Sequence, residues 1–113
     1  MECPFCRIAA GELEADILYD DGEVLAFRDI NPVAPHHILI IPRRHIATVN
    51  DMNADDAPLV GRLHLAARQL AEESGFAEQG YRLNLNCGRD GGQTIFHIHL
   101  HLMGGRHFHW PPG

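Results

Sequence analysis

Apolar residues fall into two kinds of pattern along this chain. Leu59, Leu63, Ala66 and Leu70 repeat at i, i+4, i+7 and i+11, one buried stripe of a helix predicted over residues 55–74. Asp55 and Asp56 suit its N-terminal end electrostatically, Pro58 is tolerated in its first turn, and Gly75 suits the position just past its end. A shorter helix is predicted over residues 4–10, stopped by Gly11. The other kind of pattern marks strands. Residues 17–20 and 23–29 flank Asp21-Gly22, a hairpin signal. Residues 37–41 form an apolar run closed by Pro42, which reads as a buried strand. Residues 81–86 alternate as Tyr-Arg-Leu-Asn-Leu-Asn, and residues 86–93 form a glycine-rich loop. Then comes Ile-Phe-His-Ile-His-Leu-His-Leu over residues 95–102. In an extended strand His97, His99 and His101 share one face, expected to be open, while Ile98, Leu100 and Leu102 share a buried one. The order of elements is short helix, three strands, long helix, two strands. The hairpin makes the sheet antiparallel and the class α+β.

Composition narrows what such a fold can do. At 113 residues the chain fits one domain, 1–113, and 45% hydrophobic content is ordinary for a globular protein. A chain of this length buries only about two-thirds of its unfolded surface, so pairing with a second copy would help it. The net charge of −6 argues against a broad basic surface for long nucleic acids, but leaves room for a small phosphate ligand held by local groups. No apolar run reaches the length of a membrane span, and the first residues lack the basic and apolar regions of a signal peptide. Three cysteines, two of them too close for a structural disulfide, suggest a reducing, cytoplasmic setting. Histidine is the unusual residue: there are nine, five of them from His97 to His109.

The candidate chemistry lies where the glycine-rich loop meets the histidines. Gly88, Gly91 and Gly92 let the backbone approach a ligand and turn its N–H groups inward, as anion nests do. Gln93 and Thr94 add an amide and a hydroxyl. Three imidazoles in strict alternation repel one another if protonated and need partners if buried, so a chance arrangement is a poor explanation. A zinc site and a histidine nucleophile acting on phosphorus both fit the spacing, and the pattern by itself divides them about evenly.

A resemblance separates these readings. Gly91-Gly-Gln-Thr, followed by His97-Ile-His-Leu-His-Leu-Met-Gly-Gly-Arg, resembles the signature of the histidine-triad nucleotide-binding family. Cys3-Pro-Phe-Cys-Arg-Ile, Leu25-Ala-Phe-Arg-Asp-Ile-Asn-Pro, Ala34-Pro-His-His-Ile-Leu-Ile-Ile-Pro-Arg-Arg-His and Gly80-Tyr-Arg extend it over nearly the whole chain. The ending His109-Trp-Pro-Pro-Gly is most similar to the Hint branch, the purine nucleoside phosphoramidases. The resemblance implies a five-stranded antiparallel sheet with one long and one short helix, in a two-fold homodimer whose tail, residues 104–113, contributes to the dimer and the active site.

It also implies roles. His99 would attack the α-phosphorus of a nucleoside phosphoramidate, with its other nitrogen donating to the carbonyl of His97. His101 would donate to a non-bridging oxygen, and His45 would join His97 in a proton-relay network. The loop amides, with Gly92, Gln93 and Thr94, would hold the phosphate and leaving group. Asp29 would bind the ribose hydroxyls, Ile30, Phe27 and Ile8 would form the purine slot, and Asn86 would contact the sugar-phosphate. Trp110 would help choose the leaving group. No cofactor is implied for the reaction, although Cys3, Cys6, His45 and His97 are a candidate zinc set of the kind some members of the wider superfamily hold. Thr94 stands where the family often has serine. His37 matches a family histidine and is read as structural, Arg89 as solvated, and Cys87 as a loop residue without a role. A dinucleoside polyphosphate hydrolase, a non-catalytic nucleotide-binding protein and a zinc hydrolase are the competing functions.

Overall fold

The computed structural model describes residues 3–113. Its elements are α1 (Pro4–Ala9), β1 (Ile17–Asp20), β2 (Val24–Arg28), β3 (His36–Pro42), α2 (Ala57–Glu73), β4 (Tyr81–Asn84) and β5 (Leu100–Gly104), with single 3-10 turns at Val49–Asp51 and Ala54–Asp56. All sheet pairings are antiparallel, in the order β1-β2-β3-β5-β4. The chain leaves β3, crosses α2 and reaches β4 at the sheet edge. It then returns as β5 between β3 and β4, so the strand that carries His101 is internal.

Both faces of the sheet are covered, which is why β2 and β3 are continuously apolar rather than alternating. On one face Val24, Ala26, Ile38, Ile40, Leu100 and Leu102 pack with Leu63, Ala66, Ala67 and Leu70 of α2. On the other, Leu25, Phe27, Leu39 and Ile41 pack with Phe5 and Ile8 of α1. Cross-strand partners share a face. The pairs Leu39 with His101 and Asn84 with His101 therefore put that histidine on the α1 side.

The hairpin forms as the Asp21-Gly22 signal predicts. The Asp21 carboxylate accepts the N–H groups of Glu23 and Val24, and Gly22 supplies a φ of +91°. The long helix starts two residues later than expected because residues 54–56 make a 3-10 turn capped by Asn53. Asn53 accepts from the N–H of Asp55, and Asp56 accepts from the N–H of Asn53.

The histidine strand differs most from its sequence reading. Regular pairing begins only at Leu100; residues 95–97 bend, and the N–H of Ile98 donates to the carbonyl of Ile46 at 2.8 Å instead of to a strand neighbour. The bend leaves Phe96 about half exposed and buries His97 completely. The histidines therefore do not line an open face: His97 and His99 are buried, and only His101 keeps partial exposure.

Candidate active site

A cleft of about 630 Å³ lies on the α1 face of the sheet, where the six residues of α1 stop short of covering it. Its apolar part is formed by Phe5 and Ile8 from α1, Phe27 from β2, Leu39 from β3, and Ile30 and Val33 from the loop between β2 and β3. Ile30 is 88% exposed and sits at the surface of the molecule. The polar part includes Asp29, His37, Asn84, Asn86, Thr94, His99 and His101. Apolar walls with a few convergent polar groups suit a flat ring joined to a charged group.

Hydrogen bonding fixes how the histidines present themselves. His99 Nδ1 lies 2.8 Å from the carbonyl of His97. A carbonyl can only accept, so Nδ1 carries the hydrogen, and the neutral ring keeps its lone pair on Nε2. The ring of Phe5 meets that of His99 edge-on at 5.1 Å and 84°, which fixes its plane from below.

His101 is fixed by a longer chain. The N–H of Val33 donates to His37 Nδ1 at 3.1 Å, which places the hydrogen of neutral His37 on Nε2. That nitrogen is 2.9 Å from His101 Nδ1 and 3.4 Å from the Asp29 carboxylate. His101 Nδ1 is the nearer acceptor, so the hydrogen of neutral His101 sits on Nε2. Burial, then repulsion by the His99 and His37 rings, pushes His101 down to about 4, and burial also lowers His37 against the pull of Asp29. Near neutral pH both rings are uncharged. In their neutral forms the two adjacent rings of the cleft thus present opposite chemistry: His99 a lone pair, His101 an N–H.

Several expected site residues are engaged elsewhere. Gln93 is buried; its side-chain oxygen accepts from the N–H of Gly88, and its amide donates to the carbonyls of Ala47 and Ile95, so it braces the loop. The backbone N–H groups of Gly92 and Gln93 donate to the carbonyls of Arg89 and Gly88, which leaves neither amide for a phosphate. Thr94 is exposed and does line the cleft. Asn86 lines it too, while bonding Asn84 and the carbonyl of Gly91. Asp29 serves both readings: one oxygen accepts from the N–H of Asn31 in the turn, and the residue lines the cleft. Trp110 is 83% exposed and is not among the residues lining the cleft of its own chain.

His37 is the residue sequence reasoning undervalued: its ring hydrogen-bonds His101 within the cleft rather than merely filling space. Leu39, Asn84 and Met103 also line the cleft. The signal was the parity of β3, which puts His37 and Leu39 on the face of Phe27 and His101.

His45 and His97 do meet, with their Nδ1 atoms 3.3 Å apart, but neither side chain lines the cleft. His97 Nε2 donates to the carbonyl of Pro42 at 2.7 Å, and burial lowers its pKa, so Nδ1 holds a lone pair. That atom lies 3.4 Å from Cys3 Sγ and 3.6 Å from Cys6 Sγ, and Cys6 Sγ is 3.3 Å from His45 Nδ1. All four donor atoms fall within 4.8 Å of one another. Tetrahedral zinc with Zn–N of about 2.0 Å and Zn–S of about 2.3 Å needs donors roughly 3.3–3.8 Å apart. The four residues fit that ion. His97 therefore faces two ways, its ring toward the cysteines and its carbonyl toward His99.

Two imidazoles held by hydrogen bonds, in a cleft half apolar and half polar, fit the class of nucleotide hydrolases. Known proteins agree with that class. The family described as "Scavenger mRNA decapping enzyme C-term binding" matches residues 2–109. Purine nucleoside phosphoramidase of Escherichia coli strain K12 is 51% identical over 105 residues, covering 93% of this chain and 88% of that protein. The crystal structure of a HIT family hydrolase from Legionella pneumophila Philadelphia 1 superposes with a TM-score of 0.97 at 53% identity, over 99% of this chain and 100% of that one. A zinc-bound histidine triad family protein from Mycobacterium smegmatis superposes with a TM-score of 0.80 at 30% identity, over 94% of this chain and 76% of that one. This chain belongs to the histidine-triad family of hydrolases.

Proposed function

We propose that this protein hydrolyses the phosphorus–nitrogen bond of purine nucleoside 5′-phosphoramidates through a nucleotidyl-histidine intermediate on His99. The observation that carries the reading is the bond from His99 Nδ1 to the His97 carbonyl, which leaves Nε2 as the free nucleophile of the cleft. His99 Nε2 attacks the α-phosphorus as the P–N bond breaks, and the departing nitrogen leaves as an amine after taking a proton from solvent, which the water of the second step gives back. His101 donates its Nε2–H to a non-bridging oxygen, and Thr94 offers a hydroxyl to the leaving group. Water then attacks phosphorus, the P–N bond to His99 breaks, and the nucleoside monophosphate leaves. The purine stacks in the slot of Ile8, Phe27 and Ile30, and Asp29 accepts from the ribose hydroxyls. The 51% identity to the Escherichia coli phosphoramidase supports this substrate class.

Zinc fits as a structural ion in this reading. Cys3, Cys6, His45 and His97 would fill all four of its positions, and a closed site ties segments together instead of binding substrate. The reaction itself is assigned to side chains of the cleft. The chain acts as one domain, 1–113, in a two-fold homodimer. Leu65 of α2 and Leu83 of the edge strand β4, 62% and 36% exposed, belong to the surface it would cover. The tail, residues 104–113, then carries Trp110 toward the partner's cleft. No described helix is long and apolar enough to cross a membrane. Three free thiols suit a reducing cytoplasm.

Hydrolysis rates on an adenosine phosphoramidate and on a diadenosine polyphosphate test the proposal. A clear preference for the phosphoramidate is the expected result. A preference for the polyphosphate would reassign the substrate, and inactivity on both would leave only nucleotide binding.

A further inference from the structure

One short helix belongs to two sites at once. α1 has six residues, too few to hold its shape alone, so its position depends on what it touches. Toward the cleft it presents Phe5 and Ile8. The Phe5 ring packs edge-on against Phe27 at 5.3 Å, His97 at 5.9 Å and His99 at 5.1 Å. Toward the donor cluster it presents Cys3, its N-cap, and Cys6. The other two donors come from the segments that flank the nucleophile: His45 follows β3, and His97 lends its carbonyl to His99. An ion held by all four residues would pin α1 to the backbone that orients His99. A nucleotide seated against Phe5 and Ile8 favours that same placement of α1.

We propose that zinc at Cys3, Cys6, His45 and His97 and a purine nucleotide in the cleft bind cooperatively, with α1 as the element they share. The inference rests on the zinc reading given above and adds a regulatory consequence: metal supply sets nucleotide affinity. Two ligands that stabilise one arrangement strengthen each other, and the factor is the same in both directions. Coupled sites typically show a factor of about 5 to 150.

The test uses the full wild-type chain in two forms, one loaded with a single zinc per chain and freed of unbound ion, the other stripped by a chelator. Calorimetry should show AMP binding at least about fivefold tighter to the loaded form. Competition with a chromophoric chelator should show zinc affinity rising by the same factor when AMP is saturating. Amide exchange over residues 4–10 should slow when zinc binds. Phe5→Leu, which keeps all four donors, should still take up zinc but lose much of the coupling. Equal AMP affinity in the two forms, with zinc content verified, would overturn the coupling and leave the zinc site standing. Failure of the folded chain to take up zinc would overturn the zinc reading and the coupling together, while leaving the assignment of His99 untouched.

Discussion

On one face of the sheet the strands meet a 17-residue helix, and on the other a helix of six. The long helix covers Val24, Ala26, Ile38, Ile40, Leu100 and Leu102 completely, and all are buried. The short one covers Leu25, Phe27 and Ile41 and leaves the rest of its face as a cleft. The difference in cover sorts the chemistry of β5: Leu100 and Leu102 point to the filled side, and His101 between them to the unfilled side. One face is filled along its length, while the other packs Leu25, Phe27, Leu39 and Ile41 on the short helix and keeps room beside them for hydrogen-bonded imidazoles.

Substitutions on the two faces should therefore fail in different ways. His99→Ala, on the cleft face, should lower turnover by at least about a thousandfold, the scale on which nucleophile removal acts. AMP binding by calorimetry should persist, and wild-type rates would overturn the assignment of His99. Leu63→Ala, on the filled face, should do the reverse. It empties a fully buried position and should cost about 2–5 kcal/mol in urea unfolding. Turnover per folded molecule should stay within about twofold of the wild type, because Leu63 is remote from the cleft lining.

His37→Phe sharpens the comparison at the boundary between packing and chemistry. It keeps a ring of similar shape but leaves the partly buried His101 Nδ1 without its donor, a loss of about 1–3 kcal/mol. Turnover should fall roughly tenfold to a hundredfold. Long-range nitrogen-detected NMR should show His101 losing its single Nε2–H tautomer, a change that a packing defect alone would not cause. Restoration of the tautomer and of activity by His37→Gln, which can donate again, would complete the test.

The smallest effect expected is on stability against pH. His101 is held down to about 4 in the fold, against 6.5 for an unperturbed ring, and His37 and His97 are shifted the same way. Between those values the unfolded chain binds more protons than the folded one. Stability is then fully present above about pH 6.5 and falls as the pH drops through about 4. Urea midpoints at pH 7, 6 and 5 should decline in that order, and less steeply in His101→Asn. A flat series would show that His37, His97 and His101 are not held neutral by the fold.

The sequence made the filled face easy to read and the cleft face only partly so. The stripe of Leu59, Leu63, Ala66 and Leu70 marks α2 because a helix buries local neighbours in a local period. The alternation around Leu100, His101 and Leu102 was legible for the same reason. What was not legible depends on contacts between distant segments. The bend at residues 95–97 goes with the Ile98 bond to Ile46, a residue far away in the chain, and no periodicity carries it. The role of His37 depends on the pairing of β3 with β5. The CxxC spacing of Cys3 and Cys6 was visible. That His97 turns its ring toward those cysteines while its carbonyl serves His99 was not.

Mass spectrometry of the wild-type protein quenched during turnover of an adenosine phosphoramidate tests the central claim most directly. A mass increase equal to an adenylyl group should appear on a peptide covering residues 90–106, map to His99, and vanish in His99→Ala. An adduct on another residue, or none under conditions where substrate is being consumed, would contradict the claim that His99 Nε2 is the atom that attacks phosphorus.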